Sequence, residues 1–338
     1  MSRATLKDVA AKAGVSYQTV SKVLNRRGQV SPETERRIRH AALELNYRPN
    51  VVAQNLRQKS SRLIGYAWGA GGATTWRPVN NRFLHRVVYA CEAQGYFITF
   101  FTAKDESFAD LKAYEDLYGR RQVDGFILEN TTENDPRIHY LLAEKIPFVA
   151  FGRIEEDLDF CWVDVDGYYG IYLVVDYLLQ RGHRRIALIS WQRGATTGHD
   201  RERGYYCRLQ EAGIVPDPAW IYRGVNEIET GAQGVVHLWS LPVAQRPTAV
   251  VCVSDQIAVG AMHAAMAEGL EVGKDIAITG YDDVNMAQFL HPPLTTVRQP
   301  IDEAGELVAN MLLEQVNGTM TVPQQVLLKP ELVIRGSA

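Results

Sequence analysis

Tyr17, Gln18, Ser21 and Lys22 are polar side chains whose types and spacing could read a nucleic acid. Hydroxyl, amide and ammonium groups meet the donors and acceptors on base edges, and residues three or four apart share one face of a helix. The flanking residues supply such a helix. Thr5 can cap a first helix by accepting a backbone N–H from its first turn. Leu6, Val9, Ala10 and Ala13 then fall at i, i+3, i+4 and i+7, one apolar face. Gly14 is free to adopt the left-handed conformation that ends a helix tightly. Ser16 caps a second helix, whose Val20, Val23 and Leu24 pack back on the first. Two short helices at a glycine turn form a helix-turn-helix, with the polar set facing outward toward a major groove.

An ordinary helical hairpin with a solvated face would share that periodicity, but the following residues weigh against it. Ser31 and Pro32 provide an N-cap and a first position for a third helix. Ile38, Ala41, Ala42 and Leu45 turn inward, and the helix ends at Asn46-Tyr47-Arg48-Pro49-Asn50. The runs Gly14-Val15-Ser16-x-x-Thr19-Val20-Ser21-x-Val23-Leu24-Asn25 and Leu45-Asn46-Tyr47-x-Pro49-Asn50 are long and ungapped. With them, Thr5 to Leu56 resembles the DNA-binding headpiece of the lac-repressor (LacI/GalR) family.

The resemblance implies a homodimer on a near-palindromic double-stranded operator. Its implied contacts include Thr5, Leu6, Ser16 and Thr19 beside the polar set of the second helix, and Asn25, Ser31 and Tyr47 beyond it. Lys22 stands where the family usually has arginine and lacks the planar fork that grips guanine, so a softer base preference is expected. Asn50 to Arg57 could form two helical turns, too few to be stable alone. By resemblance this is a hinge helix that orders in the minor groove, contacting DNA through Asn50 and Ala53, with Leu56 as an apolar wedge.

The charge is divided in the same way. Residues 1–60 hold 12 Lys+Arg and 4 Asp+Glu, and the remainder 24 and 35, so a basic arm of +8 precedes an acidic body of −11. Phosphate binding by the arm alone fits that division. No leader precedes Met1, and no apolar run approaches the ~18 residues of a membrane span, so a cytoplasmic protein is expected. Cys91, Cys161, Cys207 and Cys252 are far apart and read as reduced core residues. After Arg335 too little chain remains for tetramer-forming heptads, and a dimer is expected, with contacts around Phe83–Cys91 and on the second lobe.

From Arg62 apolar strand-like runs alternate with amphipathic helices, the pattern of doubly wound parallel α/β sheets. The runs Leu63–Trp68, Tyr96–Thr102, Gly125–Glu129, Phe148–Phe151, Arg185–Ser190, Ala249–Ser254 and Ile276–Tyr281 are too many for one sheet, and two Rossmann-like lobes are expected. Gly182-His183-Arg184-Arg185-Ile186-Ala187, Arg201-x-x-Gly204-Tyr205, Ser254-Asp255-Gln256, Gly280-Tyr281-Asp282-Asp283 and Pro292-Pro293-Leu294-Thr295-Thr296 extend the family resemblance along the chain. It implies a periplasmic-binding-protein-type core behind the helix-turn-helix headpiece and hinge helix. The expected organisation is a headpiece over 1–49 and a hinge over 50–61. An N-lobe then covers 62–163 and 295–322, and a C-lobe 164–294 and 323–338.

Ligands of such sheets sit beyond the carboxyl ends of the strands. By family position Arg201 and Asp282 meet one ligand, donating to and accepting from its hydroxyls. Trp68, Trp76, Phe83 and Trp191 lie near strand ends as candidate stacking platforms, each equally suited to a core. Arg153, Asn226, Ser254 and Gln299 complete the candidate set. No nucleophile–base pair, metal-ligand spacing or phosphate-binding glycine loop is present, so neither enzyme activity nor a cofactor is expected. Asp164 and Asp166 are a paired-carboxylate candidate, but they fall at an expected lobe crossing. The reading is a repressor of carbohydrate-utilisation genes that releases DNA on binding a sugar or glycoside. A purine- or nucleoside-responsive regulator is the alternative. A sugar-transport binding protein is disfavoured by the headpiece.

Overall fold

The computed structural model describes residues 4–24, 30–47, 60–68, 77–102, 110–192 and 196–338. The chain divides into two compact units at Ser61 and Arg62. The first unit is a three-helix cluster: α1 (Leu6–Ala13), α2 (Tyr17–Leu24) and α3 (Pro32–Glu44). The expected local signals account for it. Thr5 and Asp8 form a reciprocal capping box, Gly14 ends α1 at φ 61°, and Ser31 caps α3 with Pro32 at its start. Val9, Ala13, Val20, Val23, Ile38 and Ala41 fill the core, and Leu6, Leu24, Leu45 and Tyr47 close around it. Lys12 pairs with Glu44 at 2.8 Å, tying α1 to α3.

In the second unit the first lobe is built on one parallel sheet. Its strands are β1 (Leu63–Trp68), β2 (Phe97–Thr102), β3 (Gly125–Glu129), β4 (Phe148–Phe151), β5 (Cys161–Val165) and β11 (Gln325–Leu328). Among the described residues the order is β11-β5-β4-β3-β1-β2. Helices α4 (Pro78–Ala93), α5 (Leu111–Gly119), α6 (Pro136–Ala143) and α11 (Ile301–Val316) accompany it, and apolar clusters cover both faces. The second lobe carries β6 (Ile186–Trp191), β7 (Ile221–Gly224), β8 (Ala249–Cys252) and β9 (Ala277–Thr279), in the order β7-β6-β8-β9, all parallel. Around these strands lie α7 (Gly167–Gln180), α8 (Thr196–Glu211), α9 (Ile228–Trp239) and α10 (Asp255–Ala267). Strands β10 (Thr296–Arg298) and β12 (Glu331–Val333) pair antiparallel beside them. Gly231 and Gly260 let α9 and α10 touch backbone to backbone, because a Cβ on either would strike a carbonyl oxygen of the other helix.

The pairings move the lobe boundaries. Trp162–Val165 pair with Gln325–Leu328 inside the first sheet, so the chain leaves the first lobe after Val165 rather than at 163. Thr296–Arg298 pair with Glu331–Val333 of the second lobe, so the return lies at Gln299–Pro300 rather than at 294–295. The last crossing falls at Lys329–Pro330, beyond the expected 322–323. Each boundary shifts because a short strand completes its ladder before the chain crosses. Strands β5, β7, β10, β11 and β12 add to the seven strand-like runs that the sequence predicts. On α4 the expected dimer contacts Phe83, Val87 and Cys91 are buried in the core; the helix exposes Arg82, His85 and Tyr89 instead. No helix among the described residues is long and apolar enough to cross a membrane.

Candidate functional site

In the headpiece the first residues of α2 stand clear of the core. Ser16 accepts from the Thr19 backbone N–H at 3.1 Å and its hydroxyl meets that of Thr19 at 2.8 Å, which fixes the helix start. Tyr17, Gln18 and Lys22 are exposed, and Ser21 is half-buried beside them. The helix thus presents the outward polar set that its spacing predicts. The polar groups of Thr5 and Ser31 are engaged in caps, at Asp8 and Thr34. Leu6 and Tyr47 are half-buried against the core. Asn25, Asn50, Ala53 and Leu56 lie outside the described residues, as does Trp76.

In the second unit Arg201 is the centre of a buried polar cluster. It sits on α8 and is almost wholly buried. Its guanidinium stacks over the Tyr281 ring at 3.7 Å and faces the Trp191 ring at 4.8 Å. Nη1 donates to the Val253 carbonyl at 2.5 Å and stands 3.9 Å from Asp282 Oδ1. Gln299 donates to the same Asp282 oxygen at 2.7 Å. The sequence reading therefore named residues that do meet: Arg201, Asp282, Trp191 and Gln299 form one cluster.

Asp282 is held in an unfavourable backbone conformation. It has φ 125° and its neighbour Asp283 φ 49°, both costly for side-chain-bearing residues. The surroundings over-determine the turn. The Asp282 N–H donates to the Val297 carbonyl, and the Asp283 carboxylate receives Arg298 at 2.7 Å and Arg335 at 2.6 Å. Burial pushes the Asp282 carboxyl up to about 7, against the pull of Arg201. Asp255, which accepts from the Thr296 hydroxyl and the Val284 N–H, is likewise pushed by burial to about 6.

Several buried polar atoms in this cluster make no hydrogen bond: Ser190 Oγ, Trp191 Nε1, Arg201 Nε and the Tyr281 hydroxyl. Buried polar atoms without a partner cost about 1–3 kcal/mol each, and four of them gather around Arg201.

The remaining candidates are placed differently. Ser254 caps α10 through the Ile257 N–H and donates to Asn226 at 2.6 Å, so that pair joins two strand ends of the second lobe. Arg153, expected as a ligand cation, instead bonds Asp200 at 2.5 Å and lies 3.8 Å from Asp164; it joins the lobes. Phe83, expected as a platform, is fully buried and stacks on Phe151 at 4.4 Å, because it falls on the inward stripe of α4 with Val87 and Cys91. Trp68 ends β1. Asp164 accepts from the Val165 and Arg153 N–H groups and Asp166 caps α7, so the paired carboxylates serve structure rather than proton transfer.

Sequence reasoning missed Glu129, Tyr66 and Asn80. Glu129 closes β3 and is buried, accepting from Asn80 Nδ2 at 2.9 Å. The signal available was a carboxylate ending an otherwise apolar strand.

Comparisons with known proteins agree with this fold. Residues 5–50 match the model of the bacterial regulatory proteins of the lacI family, and residues 175–338 that of a periplasmic binding protein-like domain. The HTH-type transcriptional repressor PurR of Erwinia tasmaniensis is 36% identical over 336 residues, covering 99% of this chain and 96% of that protein. The lac repressor dimer bound to operator and the anti-inducer ONPF superposes with a TM-score of 0.86 at 29% identity, covering 99% of each chain. A complex of the transcriptional regulator CelR with cellobiose gives a TM-score of 0.75 at 28% identity, covering 99% of this chain and 100% of that one.

Proposed function

Because the chain belongs to the lacI family of bacterial regulatory proteins, DNA-binding transcriptional repressors rather than enzymes, we propose that it is a cytoplasmic homodimer whose operator affinity is set by a neutral, hydroxyl-rich ligand held between its lobes. The observation that carries the ligand reading is the Arg201–Asp282 pair with its unpartnered polar neighbours. Arginine offers donors only, and an ionised aspartate acceptors only, so together they suit groups that both donate and accept, as hydroxyls do. Above about pH 7, where Asp282 is ionised, a carboxylate or phosphate would meet its buried charge. The structural likeness to a cellobiose-bound regulator supports a sugar or glycoside. A nucleoside is the second reading, favoured by the flat Trp191 ring beside Arg201.

On this reading Tyr17, Gln18 and Lys22 face the operator, and Asn50, Ala53 and Leu56 form the hinge contact. Ligand and operator affinities are then coupled reciprocally, typically by about 1–3 kcal/mol, with the ligand favouring release. Thermal-shift measurements with mono- and disaccharides and nucleosides, followed by operator titration with and without each stabilising compound, test the proposal. A neutral sugar that raises the melting temperature and weakens operator binding is the expected result. If no compound moves both, or only anions do, the reading is wrong.

A further inference from the structure

Four arginines at the base of the second lobe carry charge that no carboxylate neutralises. Arg181 and Arg184 follow α7, Arg185 leads into β6, and Arg246 precedes β8. The first three are exposed and Arg246 is half-buried. Among the described residues none of the four makes an ion pair. Three of them are nonetheless held in place by backbone carbonyls. Arg184 Nη1 donates to Leu179 and to His183, each at 3.0 Å. Arg185 Nε donates to Arg246 at 2.7 Å, and Arg246 Nε to Leu241 at 3.1 Å, with its guanidinium 5.5 Å from the Trp239 ring. Each guanidinium keeps further N–H donors in a fixed fork, a geometry that binds carboxylates bidentately.

The sheet brings the four together. Strands β6 and β8 are adjacent, with Ile186 in register with Ala249, so the loops that precede them lie side by side. His183 Nδ1 meets Thr248 Oγ1 at 2.9 Å across that junction. Complementing the helix dipole accounts for Arg181 and Arg184 at the end of α7, but not for Arg185 and Arg246. Beside Arg246, Val243 is 75% exposed on the short turn Val243–Gln245, which Trp220 Nε1 fixes through the Gln245 carbonyl at 2.8 Å. The charge reverses on both flanks. Asp217 precedes β7, and Glu268, Glu271 and Asp275 precede β9, the strands on either side of β6 and β8.

We propose that this base of the second lobe is a docking surface for a short acidic segment of a partner protein, whose carboxylates meet the arginine forks while an apolar side chain covers Val243. Arginines around an apolar anchor on fixed backbone are the composition of protein–protein contacts. The acidic flanks disfavour nucleic acid. A duplex is a rod of evenly spaced phosphates that would run on over Asp217 or Glu271, whereas a short segment ends within the two basic loops. The surface lies at the amino ends of the strands, and Asp282 follows the carboxyl end of β9, so the two do not depend on each other.

Fluorescence anisotropy with the full chain tests this, using a labelled peptide of repeated Glu-Glu-Leu, a Glu-Glu-Ser peptide of equal length and a non-operator duplex. The leucine peptide should bind saturably at low ionic strength, and severalfold more tightly than the serine peptide. Arg181→Glu, and Arg184→Glu with Arg185→Glu, should each weaken it by about tenfold or more, as expected when hydrogen bonds between charged groups are lost. Val243→Asp should weaken it severalfold. The Arg181 side chain makes no hydrogen bond among the described residues, so Arg181→Glu should keep the parent melting temperature and report on docking alone. The headpiece is basic as well, and unchanged affinity in the arginine variants would place the peptide there and overturn the proposal. Equal binding of the two peptides, or a matching loss of duplex affinity in the same variants, would make the surface a general polyanion site and overturn it too. So would the lack of saturable peptide binding at millimolar concentration.

Discussion

Arg153 and Asp200 bond across the two lobes, Nη2 to Oδ2 at 2.5 Å, with Asp200 nearly buried. Arg203 holds the other Asp200 oxygen at 3.1 Å. A hydrogen bond to a charged group contributes about 1.5–3 kcal/mol. Asp200→Asn should therefore lower the melting temperature of the core and enlarge the ligand-free molecule in small-angle scattering. A scattering profile and melting curve matching the parent would show that the pair contributes nothing to closure.

Asp282 gives the core an unusual pH dependence. Burial raises its pKa from 3.8 to about 7, so between those values the folded chain keeps a proton that the unfolded chain has lost. Its contribution to stability is complete below about pH 4 and is lost as pH rises through about 7. Asp164 and Asp255, each pushed to about 6 by burial, act in the same sense. Asp282→Asn should flatten this part of the melting-temperature curve and gain on the parent at pH 8. A variant curve parallel to the parent from pH 4 to 8 would remove Asp282 as the cause.

Arg201→Ala leaves Asp282 buried without its cation, a change that costs about 3–5 kcal/mol when the pair is fully enclosed. It should also abolish ligand binding to residues 62–338, the compact second unit, in calorimetry. Arg201→Lys keeps the charge but loses the flat stack on Tyr281, and should bind weakly rather than not at all. Parent-like binding by both variants would make the pair structural and the cleft assignment wrong.

Gln18 is exposed near the start of α2 and is the residue best placed to read a base. Gln18→Ala should relax preference at one or two positions of each half-site, whereas loss of a phosphate contact weakens all sequences alike. Uniform loss across a randomised operator library would place Gln18 on the backbone instead.

Gly14 ends α1 at φ 61°, and a Cβ there would meet nothing within 4 Å. Gly14→Ala should thus cost only the left-handed strain, about 1 kcal/mol, read as a lower headpiece melting temperature. A loss several times larger would mean that the turn has a packing role.

The headpiece was legible in the sequence because its determinants are local: Thr5, Gly14, Ser16 and Ser31 act within a few residues of themselves. Arg201 and Asp282 were legible only through family resemblance, since they lie 81 positions apart, one on helix α8 and the other in the turn after β9. Phe83 was misplaced because an aromatic at the start of a helix has the same pattern whether it faces a core or a cleft. Glu129 was overlooked for a related reason: its burial depends on β4 and α4, which no short window contains. The α11 stripe of Ile301, Ala304, Val308 and Leu312 has helical spacing and is legible in the sequence.

Two of the three crossings lie close to the proposed ligand cluster or to the ion pair that joins the lobes. Asp164, which holds the Arg153 N–H, is two residues before Asp166, where the chain first changes lobe. Gln299, which donates to Asp282, is itself part of the second crossing. On the proposed reading, a ligand at Asp282 acts on the pivot, with almost no lever arm. At a pivot a displacement of a few tenths of an ångström becomes an angle, and the far ends of the lobes sweep out the larger arc.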